Sequence, residues 1–308
     1  MKPINLSINP TYLCNFRCDF CYLTKEQLSD KKKIEIERIK EMVVEISENG
    51  YVVENVDLYG GEIGLLKSEY LYDIHYIFDE SVGINVITNF YIINDYFNSD
   101  EITLSVSFDF DARQGSDKVL NNIIQTKKDV HILVLASEKV INMEADVMIR
   151  FFNSLQNVKS VEIKPYSKNQ SNSHTVTNTD FENFVYKWVE SKVPKRFDFV
   201  NLRNIQNSID RKYNAFSDNH VYITPNGKFG VLEFDENDKE YFLEFEKFDS
   251  YIEWSEIEKN KVSKNKFCSK CEYFGNCLTE HYRDIKPSED SCSGFKGLLN
   301  KAKVFLSK

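Results

Sequence analysis

The alternation of apolar and polar residues predicts a chain in which strands and helices take turns. Residues 4–10 alternate with a period of two, and residues 34–48 repeat apolar side chains at helical spacing. The pattern predicts strands at 4–10, within 53–62, and at 84–89, 102–108, 130–136 and 160–165, with helices at 34–48, 68–80, 91–98, 116–127, 144–156 and 180–191. Six strands alternating with helices at this rhythm indicate parallel βα units.

The second part of the chain has a different character. The polar segment 167–179 is the best candidate boundary, and Asn226-Gly227 between two apolar runs is a hairpin signal. We therefore expect an α/β domain over residues 1–190, followed by a smaller unit over residues 191–308.

Composition and charge narrow the class of protein. The 308 residues are 42% hydrophobic and 14% aromatic, which is enough for a sizeable core. The net charge is −9 and no stripe of Lys and Arg is present, so nucleic acid is a poor candidate partner. The sequence shows no signal peptide and no apolar run long enough to span a membrane, which leads us to expect a cytoplasmic protein.

The seven cysteines fall into two tight groups at opposite ends of the sequence. One group is Cys14, Cys18 and Cys21, and the other is Cys268, Cys271, Cys277 and Cys292. Cysteines that only fill a core would be scattered, whereas clusters in a reducing compartment favour metal or iron–sulfur ligation over disulfides.

The first group places three thiolates in one loop after the first strand. Three soft ligands can hold three irons of a cubane and leave the fourth iron open to a cosubstrate. Zinc would need a fourth protein ligand, and the nearest candidates, Asp19 and Tyr22, are poor ones.

Cys14-x3-Cys18-x2-Cys21, followed by Tyr22, resembles the signature of radical S-adenosylmethionine (SAM) enzymes. Gly60-Gly61-Glu62, at the end of the second predicted strand, is similar to the GGE motif of that family. The resemblance implies that this turn holds the amino group of SAM, with glycines for close backbone approach and a carboxylate for the ammonium. Both motifs lie where β/α barrels place their chemistry.

Weaker matches follow along the next strands. Thr88-Asn89 resembles a Thr-Asn-Gly element with Phe90 in the place of Gly, and the segment from Ser105 to Asp109 resembles one that reaches the ribose or carboxylate of SAM. The competing interpretation is local, since Ser and Thr cap helices and Asp closes turns. The resemblance implies a cofactor-binding set of Tyr22, Gly60, Gly61, Glu62, Asn89, Ser105, Ser107, Asp109, Leu135 and Lys164.

The second cysteine group resembles part of the SPASM extension found on radical SAM enzymes that modify peptides. In that pattern, Cys268, Cys271, Cys277 and Cys292 would bind one auxiliary [4Fe–4S] cluster. Ligands for a second auxiliary cluster are missing, because His281 replaces one cysteine and Gly230-Val231-Leu232 occupies the place of another. A structural zinc site satisfies four cysteines equally well and stays an alternative.

The resemblance as a whole implies an incomplete (β/α)6 barrel with a small, degenerate SPASM- or twitch-like domain. It implies an enzyme that cleaves SAM to a 5′-deoxyadenosyl radical, abstracts hydrogen from a substrate, and takes electrons from a donor such as flavodoxin or ferredoxin. The favoured substrate is a ribosomal peptide that gains a carbon–carbon, ether or thioether cross-link. Dehydrogenation or epimerisation of a peptide or small molecule, and a non-catalytic metal-stabilised binding protein, are the alternatives.

Overall fold

A computed structural model describes residues 1–165, 176–216, 218–232, 242–278, 292 and 294–307. Its strands are β1 Lys2–Ile8, β2 Tyr51–Leu58, β3 Gly83–Thr88, β4 Ile102–Ser107, β5 Val130–Leu135, β6 Val158–Lys164, β7 Asp198–Phe199, β8 His220–Ile223, β9 Phe229–Leu232 and β10 Phe242–Phe245. Its α-helices are α1 Ile36–Glu48, α2 Ser68–His75, α3 Ser116–Gln125, α4 Glu138–Ile141, α5 Ala145–Ser154, α6 Asn178–Glu190, α7 Val200–Ile209, α8 Phe248–Ser263 and α9 Lys296–Leu306.

The strands form one sheet in the order β10-β9-β8-β1-β2-β3-β4-β5-β6-β7. Strands β1 to β6 are parallel neighbours in sequence order, which confirms the six predicted βα units. The described end strands, β7 and β10, lie at opposite edges, so the barrel is incomplete as predicted.

The sheet continues beyond the proposed boundary at residue 190. Strand β7 pairs parallel with β6, and β8 pairs parallel with β1, so the later part of the chain extends both sides of the sheet. The predicted hairpin is confirmed, because β8 and β9 are antiparallel with Gly227 at φ +73° between them. The division at residue 190 stays a prediction.

Each strand presents opposite chemistry on its two faces. The outward face of β1 carries Leu6 and Ile8, which are fully buried, and β2 does the same with Val56 and Leu58. These side chains pack in the core with helix residues such as Ile39 of α1. The inward positions are largely polar, because they surround a cavity instead of a core.

One predicted short helix is shorter than expected. Residues 91–98 form only a short 3-10 helix at Asp95–Asn98, which Asn94 caps by accepting a hydrogen bond from the Tyr96 backbone N–H. In the described residues, we find no helix of the length and apolarity that crossing a membrane requires.

Candidate active site

A cavity of about 470 Å³ opens at the carboxyl ends of the parallel strands. Cys14, Cys18 and Cys21 all line it, and so do Gly60 and Gly61. The two sequence motifs therefore share one cavity, which is the place where a parallel α/β sheet collects functional groups.

The cysteine loop is held by its own backbone and by Arg17. The Cys14 backbone N–H donates to the Leu28 carbonyl at 3.1 Å, and the Cys21 N–H donates to the Cys18 carbonyl at 3.0 Å. The Arg17 guanidinium donates to the carbonyls of Cys14 and Phe16, both at 2.7 Å. These contacts fix the loop without using the thiols.

The three thiols are partly buried, and burial raises the pKa of each. The pKa values of Cys14 and Cys18 rise to about 11, and the pKa of Cys21 also rises. Because thiolates are the ligating form, binding of a metal centre would displace the protons of these thiols. The Arg113 guanidinium, 4.0 Å from Cys18 Sγ, favours the thiolate there.

Gly60 and Gly61 are required by their contact with the cysteine loop. A Cβ on Gly61 would lie 2.3 Å from the carbonyl oxygens of both Tyr12 and Leu13, and a Cβ on Gly60 would lie 2.6 Å from the Thr11 oxygen. The Gly61 N–H donates to the Thr11 carbonyl at 2.9 Å. The two glycines therefore allow the turn to approach the cysteine loop closely. Both glycines also line the cavity.

Glu62 lies behind the cavity wall, where it is 1% exposed. Its carboxylate accepts hydrogen bonds from the Gly64 N–H at 2.8 Å, the Asn89 N–H at 2.7 Å and the Thr88 hydroxyl. Burial raises the pKa of Glu62, against the lowering effect of these donors. The resemblance implies a contact between this carboxylate and the ammonium of SAM. In the structure, both carboxylate oxygens instead accept hydrogen bonds from the end of β3 and so connect it to the end of β2.

The Thr88-Asn89-Phe90 segment adopts the shape that its resemblance suggests. Phe90 has φ +56°, in the left-handed region that glycine occupies easily. The ring is 1% exposed, so its burial offsets a backbone cost of about 1–2 kcal/mol. Asn89 lines the cavity, and its side-chain amide donates to Asn15 Oδ1 at 2.9 Å.

The candidate residues on and just after the fourth strand have two roles. Some line the cavity, and others hold its wall from behind. Ser107 lines the cavity, whereas the Ser105 hydroxyl donates to Asn85 Oδ1 at 2.8 Å one step deeper on the same face. Asp109 is buried, accepts from the Leu135 N–H at 2.6 Å, and binds Arg113 at 2.6 Å. Ser105 and Asp109 therefore support the wall, and Arg113 supplies the charge that reaches the cavity.

The remaining candidates lie on the cavity wall. Leu135 and Lys164 line the side formed by β5 and β6, and Lys164 pairs with Glu162 at 2.9 Å. Tyr22 lines the opposite side, and its hydroxyl is hydrogen-bonded to that of Tyr59.

Among the lining residues that escaped the sequence reasoning are Arg113, Asp57 and His220. Arg113 had a usable signal, because it follows Asp109 by four residues and forms an i,i+4 ion pair. His220 had none, since only the pairing of β8 with β1 brings it beside Ser7.

In the C-terminal cysteine group, Cys268 begins a 3-10 turn, and its backbone N–H donates to Asn265 Oδ1 at 2.7 Å. The Cys271 N–H donates to the Cys268 carbonyl at 3.0 Å, which closes a knuckle. Cys277 is buried and Cys292 is exposed. His281 lies outside the described residues.

The N-terminal loop has the donor set that a cubane needs, because three thiolates can ligate three irons. The loop also buries a donor, Asn15 Nδ2, that has no hydrogen-bond partner among the described residues and lies next to Cys14.

Comparison with known proteins finds a family match for the N-terminal part of the chain. The sequence model of the radical SAM superfamily matches residues 8–105, which include both N-terminal motifs. A curated uncharacterised protein of Archaeoglobus fulgidus is 37% identical over 62 residues, which are 20% of this chain and only 15% of that protein.

Two solved structures share the fold over most of the chain. Native anSMEcpe with bound AdoMet aligns with a TM-score of 0.70 at 16% identity, covering 97% of this chain and 95% of that chain. Streptococcus suis SuiB bound to S-adenosylmethionine aligns with a TM-score of 0.67 at 15% identity, covering 93% and 75%. Residues 8–105 therefore match the radical SAM superfamily, and most of the chain shares the fold of these two solved structures.

Proposed function

We propose that this enzyme matures a peptide by radical chemistry, with a carbon–carbon, ether or thioether cross-link as the product. The observation that carries the proposal is one cavity lined by three cysteines, by the Gly60-Gly61 turn and by Arg113. When bound, the [4Fe–4S] cluster and SAM supply a 5′-deoxyadenosyl radical that removes hydrogen from an unactivated carbon.

Cys14, Cys18 and Cys21 would hold the cluster, and Arg113 is suited to bind the carboxylate of SAM. The guanidinium is 17% exposed at the cavity, and the fully buried carboxylate of Asp109 holds it through two nitrogens. An arginine held in this way binds a carboxylate with little loss of side-chain entropy.

The backbone of the Gly60-Gly61 turn would face the amino group of SAM, and Leu135 and Lys164 would flank the adenosine. Glu62, Ser105 and Asp109 then act as positioning residues. Each is buried and each bonds a neighbouring strand end, so each holds the wall without touching the cofactor.

The C-terminal cysteines would bind one auxiliary [4Fe–4S] cluster. Their loop contacts the cavity wall, because the Asn276 amide donates to the carbonyl of Tyr213 at 2.6 Å and Tyr213 lines the cavity. Four cysteine ligands leave no open iron, so electron transfer or structural support suits this site. At the place of the missing second-cluster ligand, Leu232 contributes an apolar side chain to the cavity.

A peptide substrate is supported by the proteins that share the fold. Solved structures of the two neighbours contain a Cp18Cys peptide in anSMEcpe and the precursor peptide SuiA in SuiB. We propose that this chain likewise accepts a peptide and receives electrons from a flavodoxin- or ferredoxin-like donor.

The deciding experiment is anaerobic reconstitution, with iron, sulfide and zinc analysis and an assay of 5′-deoxyadenosine under dithionite and SAM. The wild type should hold about eight irons, and a Cys14/Cys18/Cys21→Ala variant about four with no deoxyadenosine. A Cys268/Cys271→Ser variant is the matched control, because it should lose about four irons and keep uncoupled SAM cleavage.

The outcomes separate the parts of the proposal. Four irons with one zinc would make the C-terminal site structural, and a wild type without deoxyadenosine would refute radical chemistry. Co-expression with short reading frames that flank the gene then tests the peptide, since a cross-link removes two hydrogens from its mass.

A further inference from the structure

Below the cysteine loop, the cavity has a floor of polar side chains, which we call the polar floor: Ser7, Asp57 and His220. They come from β1, β2 and β8, which are neighbours in the sheet. A hydroxyl, a carboxylate and an imidazole thus line the same side of the cavity.

The polar floor is anchored from below. Asp57 Oδ1 accepts from the Asn85 amide at 2.7 Å, and Asn85 in turn accepts from the Ser105 hydroxyl at 2.8 Å. This chain of hydrogen bonds fixes the Asp57 carboxylate while leaving it on the cavity surface. Preorganised polar groups on the wall of a cavity can orient a ligand.

His220 is fixed in the same way. Its Nε2 lies 2.8 Å from Ser7 Oγ, its ring stacks on Tyr222 at 4.9 Å and 14°, and the Tyr251 hydroxyl donates to its carbonyl at 3.1 Å. Burial lowers the pKa of His220, and Lys164 lowers it further, while Asp57 opposes both. The ring is therefore neutral near pH 7, with one donor and one acceptor nitrogen.

Among the histidines that the structure describes, His220 alone lines the cavity. His131 has a closely similar setting, because its Nδ1 lies 2.7 Å from Ser160 Oγ and burial lowers its pKa too. It sits one step below the cavity-lining Leu133 on the inward face of β5. His131 therefore shows the surroundings of a histidine that only supports the fold. His220 has similar contacts but also lines the cavity, where a ligand can reach it.

We infer that the polar floor is the substrate-anchoring subsite, where His220 selects a peptide side chain that bears a hydroxyl or amide hydrogen-bonding group. The inference rests on the proposed function for the nature of the substrate as a peptide. An apolar side chain would cover the His220 imidazole and the Asp57 carboxylate without offering either a hydrogen bond, which costs binding free energy.

The test uses two blocked pentapeptides, N-acetylated and C-amidated, with alanines around a central Thr or Val. These residues are close in shape and differ in the hydroxyl group. Binding is measured by calorimetry on the anaerobically reconstituted full chain with SAM and without reductant. The wild type should bind the Thr peptide about 3- to 10-fold more tightly than the Val peptide.

The His220→Phe variant should lose that preference, and His131→Phe, the matched control, should keep it. Since His220 joins β8 to β1, His220→Gln provides a second variant that retains hydrogen bonding and should keep part of the preference. In histidine NMR spectra, the Thr peptide should shift the His220 signal and leave the His131 signal in place.

Equal binding of both peptides by the wild type, or no binding of either, would overturn the inference. So would a preference that survives in His220→Phe or disappears in His131→Phe. Because binding is measured without reductant, a failure to form deoxyadenosine would refute the proposed radical chemistry separately from this result.

Discussion

The turn at Gly60-Gly61 contacts the backbone that leads into the cysteine loop. Adding one methyl group at Gly61 tests this contact. In Gly61→Ala, the new Cβ would stand 2.3 Å from two backbone oxygens, those of Tyr12 and Leu13. Backbone atoms cannot rotate away as a flexible side chain does, so the turn or the cysteine loop must move.

The expected cost follows from what that movement breaks. Overpacking of this kind costs about 1–3 kcal/mol. Separation of the two loops also weakens the bonds from the Gly61 N–H to Thr11 and from the Glu62 N–H to Leu13, at 2.9 and 2.8 Å, each worth about 0.5–1.5 kcal/mol. We expect the free energy of unfolding to fall by about 2–5 kcal/mol.

Urea denaturation of the apoprotein measures the loss, and SAM binding to the reconstituted protein measures its effect on the site. Gly50→Ala is the control, because its φ is +80° and nothing lies within 4 Å of the new Cβ. That variant should lose only about 1–2 kcal/mol and keep SAM binding. If Gly61→Ala is no less stable than Gly50→Ala and binds SAM normally, the proposed contact does not organise the site.

Three further predictions concern buried ionisable groups. Asp109→Asn leaves the Arg113 cation unpaired and should lower the free energy of unfolding by about 3–5 kcal/mol in urea titrations, whereas the exposed pair removed by Asp198→Asn should cost under about 1 kcal/mol. Glu62→Gln turns an amide donor toward backbone N–H groups, so we expect a loss of about 1–3 kcal/mol and weaker SAM binding; unchanged values for both would contradict its positioning role. Burial lowers the pKa of His131, so the unfolded chain takes up its proton first and the unfolding free energy should fall as the pH drops below about 6.5, by at most about 1.4 kcal/mol per pH unit for this group. His131→Gln should flatten that dependence in urea titrations at several pH values, and an identical slope would refute the assignment.

Hydrophobic periodicity was sufficient to predict the six βα units, because each outward strand face must be apolar to meet a helix. The added strands were harder to find. Strand β7 has two residues, and β8 is recognised as a parallel neighbour of β1 only when the two ends of the chain meet in space.

The candidate site divides in a similar way. Cysteine spacing and Gly60-Gly61 are local patterns, so the sequence was enough to propose them. Whether a polar residue lines the cavity or supports its wall depends on its depth along the strand, which separates Ser107 from Ser105 although both lie on the same face of β4. His220 reaches the cavity only through the pairing of β8 with β1, which no short motif encodes.

The pairing of β1 with both β2 and β8 has a consequence for biosynthesis. The first strand leaves the ribosome early, yet the partner for its second edge begins at His220. At translation rates of about 5–20 residues per second, that edge waits roughly 10–40 s. During this interval its unpaired backbone groups and the nearby thiols are exposed together, so the nascent chain is vulnerable both to edge-to-edge aggregation and to premature oxidation.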